Sequence, residues 1–336
     1  MRFPTPRIPQ INPKAFIPDP RELREKLAKR VAPETATERV STAPGAKVGE
    51  KEISERIASL DVMVREAPQR VFDAYVLNID ATVFTGTQLM PELRLVVDTL
   101  DSLRRPISYL SMMSTVSSEQ LIAAMRAEGV HLEPEQIVTP GRQAARYIHK
   151  SYPGAKVFVI GDHALSAELE QGGVALSGDP EEINVVLVGH DWNFTFDKLT
   201  TAFRAIDENG ADLVASSLRR VRRQPDGTRE PGTLSVVTAI EVATRKRVAK
   251  NLGSPETDLL EMIFEDLNVA PEDALLVTDS LGADIRMAKR FGVPSALVLT
   301  GEASLEQAEK LKWKDQPNYV LDSVDSIIPP YIKDQL

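Results

Sequence analysis

The sequence predicts an α/β fold built on parallel sheets, and three observations carry that prediction. Short apolar runs of buried-strand character alternate with stretches of helical periodicity along most of the chain, the pattern of parallel βαβ units. The first run, Val76 to Ile79, ends in the polar turn Asn78-x-Asp80-Ala81-Thr82. A carboxylate at the C-terminal end of a strand that leads into a helix is the usual frame of an α/β active site. A second α/β series starts near Asn184, so 336 residues read as two domains of ordinary size or one core with a large insertion.

The elements follow in order. Residues 19–31 read as a short helix with Leu23, Leu27 and Val31 on one face, and 50–67 as a helix that aligns Ile53, Ile57 and Leu60. After the Val76 strand, Pro91 opens a helix that runs to Leu103. Pro106 to Ser111 is a strand, and Ser117 to Ala127 a helix capped by Ser117 or Ser118. Gln136 to Val138 is a strand, Gly141 to Lys150 a helix, Lys156 to Ile160 a strand and Ala164 to Gln171 a helix. In the second series, Asn184 to Val188 and Ala211 to Ala215 are strands around a helix from Phe196 to Ile206. A turn-rich loop over 227–233 precedes a helix from Ser235 to Thr244. Glu256 to Leu267 and Asp284 to Phe291 are helices, and Ala274 to Val277, Ser295 to Leu299 and Tyr319 to Leu321 are strands.

Composition narrows the function. A hydrophobic content of 42% with 26% charged residues is that of a globular chain. No run reaches the roughly 18 apolar residues of a membrane span. The absence of cysteine excludes disulfides, thiolate metal sites and cysteine nucleophiles. A net charge of -9 argues against a general nucleic-acid binder. His131, His149, His163 and His190 are scattered without metal-ligand spacing.

The first fifty residues stand apart, with eight of the 23 prolines and ten Lys/Arg against six Asp/Glu. Proline at that density bars a helix at the start. Two readings stand: a solvated tail, or an extended arm that places Phe3, Ile8, Ile11, Phe16 and Ile17 on protein subunits of a larger assembly.

Four further segments share a frame with the first strand. They are Tyr109-Leu-Ser-Met-Met-Ser-Thr-Val-Ser117, Val159-Ile-Gly-Asp-His-Ala-Leu-Ser-Ala-Glu-Leu169, Val186-Leu-Val-Gly-His-Asp-Trp-Asn-Phe-Thr-Phe196 and Val277-Thr-Asp-Ser-Leu-Gly-Ala-Asp-Ile285. In this order and spacing the chain, from about Phe72 to Asp325, resembles the haloacid-dehalogenase-like (HAD) phosphatases whose large α/β cap is inserted in the core. The resemblance implies a Rossmann-like core over 50–140 and 250–336, a cap over 141–249, and the extended N-terminal arm over 1–49.

In that family a strand-end carboxylate attacks phosphorus and an aspartate two residues on gives a proton to the leaving oxygen. A hydroxyl and a lysine hold the phosphoryl oxygens, and Mg²⁺ neutralises charge. Carried onto this chain, the nucleophile position is Asn78 and the acid/base position is Asp80. The hydroxyl is Ser111, followed by Met112, and the lysine position falls on Ser254, with Lys250 nearby. The family's Thr-Asn-x-Asp substrate loop aligns with Ser216 to Arg219. Loss of one member of a catalytic unit lowers the rate by on the order of 10⁴ to 10⁶, about 5 to 8 kcal/mol of barrier.

These departures lead to the expectation of a catalytically inactive member kept as a structural or accessory subunit of a larger assembly, and the basic, acid-free start over residues 1–14 to the mitochondrial matrix as its compartment. The alternative is an active Mg²⁺-dependent phosphatase on a small phosphorylated metabolite, through Ser111 or through water activated by Asp80, or a sensor that binds such a metabolite without hydrolysis. No cofactor is expected beyond residual Mg²⁺ on Asp80, Asp279 and Asp284, or else these carboxylates only cap strand ends and helix N-termini. Two basic runs, Arg219, Arg220, Arg222, Arg223 and Arg245, Lys246, Arg247, either contact RNA phosphates or an acidic partner, or simply face water.

Overall fold

The computed structural model of the protein describes residues 64–80, 84–85, 88–223, 228–301, 303–312 and 315–335. The arm, the helix over 19–31 and the helix over 50–63 lie outside these residues. The end of the latter is not helical, because Val64 forms a parallel bridge with Tyr319.

The chain begins with β1 (Ala74–Asn78), the short pair β2 (Phe84–Thr85) and β3 (Gln88–Leu89), then β4 (Ile107–Leu110) and β5 (Ile137–Val138). Next come β6 (Lys156–Ile160), β7 (Ala175–Leu176), β8 (Val185–Val188), β9 (Asp212–Ala215), the pair β10 (Val221–Arg223) and β11 (Arg229–Pro231), and β12 (Lys250–Asn251). The last strands are β13 (Ala274–Thr278), β14 (Ser295–Val298) and β15 (Tyr319–Leu321). Six of them form a sheet in the order β15-β14-β13-β1-β4-β5, and five form a second sheet in the order β12-β9-β8-β6-β7. Every pairing in both sheets is parallel.

From β1 the chain moves outward through β4 and β5, then returns to the other side of β1 to lay down β13, β14 and β15. Strand order therefore reverses between β1 and β13, and the crevice at the C-terminal ends of strands at such a reversal is where α/β sheets bind ligands.

Burial explains why the first strand is so apolar, since all five residues of β1 are buried. Tyr75 and Leu77 pack with Leu93, Val96 and Leu100 of the helix Pro91–Ser102. Ala74 and Val76 pack on the opposite face with Leu259 and Ile263 of the helix Asp258–Leu267 and Met287 of the helix Ala283–Phe291. A parallel sheet needs this cover on both faces. The second sheet is covered likewise, with Ile206 and Ile240 on one face and Ile148 and Leu165 on the other.

Ser117 caps the helix Ser118–Ala127 through a capping box with Gln120, which removes two unsatisfied donors at once. The same helix start is tied to the second sheet's layer. Glu168, on the helix His163–Gln171, accepts from the Ser118 N–H at 2.7 Å and from the Thr139 hydroxyl at 2.6 Å. The loop expected over 227–233 holds β11, which pairs antiparallel with β10. Among the described residues no helix is long and apolar enough to cross a membrane.

Candidate active site

The strand ends at the reversal bring Asn78, Asp80, Ser111, Thr278, Asp279 and Asp284 to one place. Asn78 is the last residue of β1, and Asp80 follows the buried Ile79. Ser111 follows β4, Thr278 ends β13, and Asp284 sits in the first turn of the helix Ala283–Phe291.

The Asn78 amide has a fixed orientation. Its Oδ1 accepts the Asp80 N–H at 2.9 Å, so its Nδ2 faces Asp284 and donates to Oδ2 at 2.8 Å. Thr278 adds a hydroxyl bond to the same oxygen at 3.1 Å and accepts the Ser280 N–H at 3.0 Å. Asp80 accepts the Met112 N–H at 2.9 Å and the Ser111 hydroxyl at 3.3 Å. Burial by surrounding protein atoms raises the Asp80 carboxyl to about 6, with the nearby Asp284 adding to the rise. The Met112 N–H, the Arg219 charge and the Ser111 hydroxyl oppose it. A carboxyl that titrates there exchanges protons near neutral pH.

The donors do not fit the Mg²⁺ expected on Asp80, Asp279 and Asp284. In the family scheme the ion lies between the strand-end carboxylate and a fourth-motif carboxylate. Here Asn78 is joined directly to Asp284, one of the two fourth-motif carboxylates, and turns its N–H₂ toward it where a cation needs an oxygen lone pair. Asp284 Oδ1 is buried without a hydrogen-bond partner, yet it is a single oxygen. Among the described residues no group of three His, Asp or Glu side chains is arranged to hold a metal. Asp279 is buried, packed so tightly on Gly301 that a Cβ there would meet its carboxyl.

Ser254 lies in the turn before the helix Asp258–Leu267, and no hydrogen bond joins it to Asp80 among the described residues. Lys250 does not reach in either: it pairs with Asp258 at 2.8 Å. The basic runs divide. Arg219 turns toward the strand ends, where its Nη2 donates to the Ser280 hydroxyl at 3.1 Å. Arg220 is exposed, and Arg222 lies over the Trp192 ring at 4.9 Å from its centroid. Burial and the Arg222 charge hold His190, beside that ring, below the usual imidazole range. Arg223 closes β10 against Arg229. In the second run, Arg245 is exposed in a left-handed conformation. Lys246 donates to the Ile206 carbonyl at 2.8 Å and Arg247 pairs with Glu241 at 3.1 Å. Lys246 thus serves a helix C-terminus.

Two protein-family models match this chain. A haloacid dehalogenase-like hydrolase model matches residues 75–175, and a HAD-hydrolase-like model matches residues 251–327. Chronophin of Rattus norvegicus is 30% identical over 286 residues, 81% of this chain and 91% of its own. The chain belongs to the haloacid dehalogenase-like hydrolases. Within that family it is also similar to Sugar-phosphatase AraL of Bacillus subtilis, 28% identical over 75% of this chain and 90% of the relative. The solved p-nitrophenyl phosphatase from Archaeoglobus fulgidus superimposes with a TM-score of 0.71 at 25% identity, over 79% of this chain and all of that one. Relatives named for phosphatase activity, matched over nearly their whole length, overturn the expectation of an inactive structural or accessory subunit. The missing carboxylate at Asn78 shows which route is closed and does not show that the site is dead.

The sequence reading missed Ser280 and the part played by Thr278. Neither belongs to the family's chemistry, and the only signal was a polar pair next to Asp279 at a strand end.

Proposed function

We propose that this protein is a phosphatase of a small phosphorylated metabolite, working through water rather than through an aspartyl phosphate. The observation that carries the reading is Asp80, a carboxyl raised to about 6 and held between the Ser111 hydroxyl and the Met112 N–H at the strand-order reversal. Asn78 cannot attack phosphorus, because its amide has no anionic oxygen. A water molecule beside Asp80 forms the new P–O bond as the ester P–O bond breaks. Asp80 takes the proton from that water and later returns it to solvent, while the departing alkoxide on the opposite side of phosphorus takes a proton from solvent, so charge and protons balance. Likeness to Sugar-phosphatase AraL makes sugar phosphates the first substrate class to try.

The test is release of p-nitrophenol from p-nitrophenyl phosphate, and of phosphate from a panel of sugar phosphates, by the full chain with its Asp80→Asn variant alongside. Turnover by the wild type that falls by about 10² to 10⁴ in the variant supports the reading. No turnover by the wild type, or equal turnover by both proteins, rejects it.

A further inference from the structure

The cluster at the strand ends is rich in acid. Asp80, Asp279 and Asp284 converge there, the position that the family fills with a lysine is the neutral Ser254, and nearby Lys250 is taken up by Asp258. A phosphate dianion needs positive charge at that place. Arg219 supplies it from the second sheet's layer. Its position aligns with the aspartate of the family's substrate loop, so the sign of the charge there is reversed.

Arg219 is held for that role. Its backbone N–H donates to the Ser217 hydroxyl at 3.2 Å, and its carbonyl accepts the Leu234 N–H at 3.1 Å. The guanidinium reaches Ser280, whose N–H is bonded to Thr278, which in turn bonds Asp284. Its charge acts on Asp80. A guanidinium carries five N–H donors in a fork that matches two phosphoryl oxygens, and the Ser280 bond engages one.

Resting on the phosphatase reading, we infer that Arg219 is the phosphate-binding cation of this site and that it takes the place of both the family's lysine and its metal ion, so that a phosphomonoester is held without a divalent cation. Charge supports the exchange. An amide at Asn78 removes one negative charge from the cluster, and the Asn78 N–H₂ already satisfies one Asp284 oxygen.

Calorimetric titration of inorganic phosphate into the full chain, in EDTA and again in Mg²⁺, tests this. The wild type is expected to bind with the same affinity in both buffers. Arg219→Ala is expected to weaken binding at least tenfold with an unchanged unfolding temperature. Arg219→Lys is expected to fall between, since a point charge keeps attraction but loses the fork. Lys310→Ala, an exposed change distant in the chain, serves as the control. Wild-type binding that appears only with Mg²⁺, no wild-type binding at all, or undiminished binding by Arg219→Ala overturns the inference. Phosphate binding without turnover of any ester sinks the phosphatase reading and leaves Arg219 standing.

Discussion

Asn78 and Asp284 face each other across 2.8 Å, an amide donor from the end of β1 against a buried carboxylate on the helix Ala283–Phe291. This contact replaces charge with a hydrogen bond at the centre of the site. In Asn78→Asp it becomes a meeting of two carboxylates away from water, and like charges at that range oppose ionisation. The variant is expected to be less stable than the wild type at pH 8 by on the order of 1–3 kcal/mol. Millimolar Mg²⁺ is expected to restore part of that loss in the variant and to leave the wild type unmoved, because only in the variant does a carboxylate instead of an N–H₂ face Asp284. Thermal unfolding of both proteins with and without Mg²⁺ reads this, and an equal Mg²⁺ shift in the two would contradict it.

Asp80 sets a pH dependence with a definite sign. Its carboxyl is raised from 3.8 to about 6 in the folded chain, chiefly by burial. Between those values the folded state holds more proton than the unfolded state, so stability falls as pH rises through that window. Asp80→Asn removes the effect. The variant is expected to gain on the order of 1–2 kcal/mol over the wild type at pH 8 and little at pH 3.5. Turnover runs the other way, since the base must be ionised: the wild-type rate is expected to drop on the acid side of about pH 6. Urea unfolding at the two pH values and a pH–rate profile check the pair. A variant with no stability advantage at pH 8 contradicts the burial of charge.

Much of this was legible in the sequence because the parallel sheets are built from continuous apolar runs. The strand predicted from Lys156 to Ile160 is β6 residue for residue, and of the two candidate caps Ser117 and Ser118 it is Ser117 that forms the box with Gln120. The exceptions have physical causes. β7 is two residues at a sheet edge with little to bury, so it leaves no apolar run. β10 is basic and partly exposed, and its arginines hid a strand that pairs with the short β11. At the site, motif order placed Asn78, Asp80 and Ser111 together. It could not separate Arg219 from its basic neighbours, because only the fold turns that one side chain toward Ser280.

Glu168 holds the two sheets' layers together. It is 3% exposed and bonds both the Ser118 N–H, at the start of a helix that packs on the first sheet, and the hydroxyl of Thr139, which follows β5 of that sheet and caps the helix Pro140–Ser151 on the second. Gly141 makes the approach possible, as a Cβ there would lie 2.7 Å from that of Glu168. Glu168→Ala strands two buried donors and is expected to lower stability by on the order of 2–4 kcal/mol. Glu168→Gln keeps one acceptor and is expected to lose less. Urea unfolding of the three proteins gives the order, and an alanine variant as stable as the glutamine one counts against the tie.

Gly253 bears on the same question from the loop that carries Arg219. A Cβ at Gly253 would stand 2.6 Å from the Ser216 carbonyl oxygen and 3.0 Å from the Ser217 Cα, both backbone atoms that cannot swing aside. Relief has to come from movement of the Ser216–Arg219 segment, which leaves β9 and is also tied to Leu234. Gly253→Ala is therefore expected to lower stability by about 1–3 kcal/mol, as overpacking does, and to weaken phosphate binding although no donor is removed. The two effects arise from one displacement, so they are expected together. Calorimetry with inorganic phosphate beside a thermal melt shows whether they are. A variant that melts early yet binds phosphate as the wild type does would mean that the position of Arg219 does not depend on this packing.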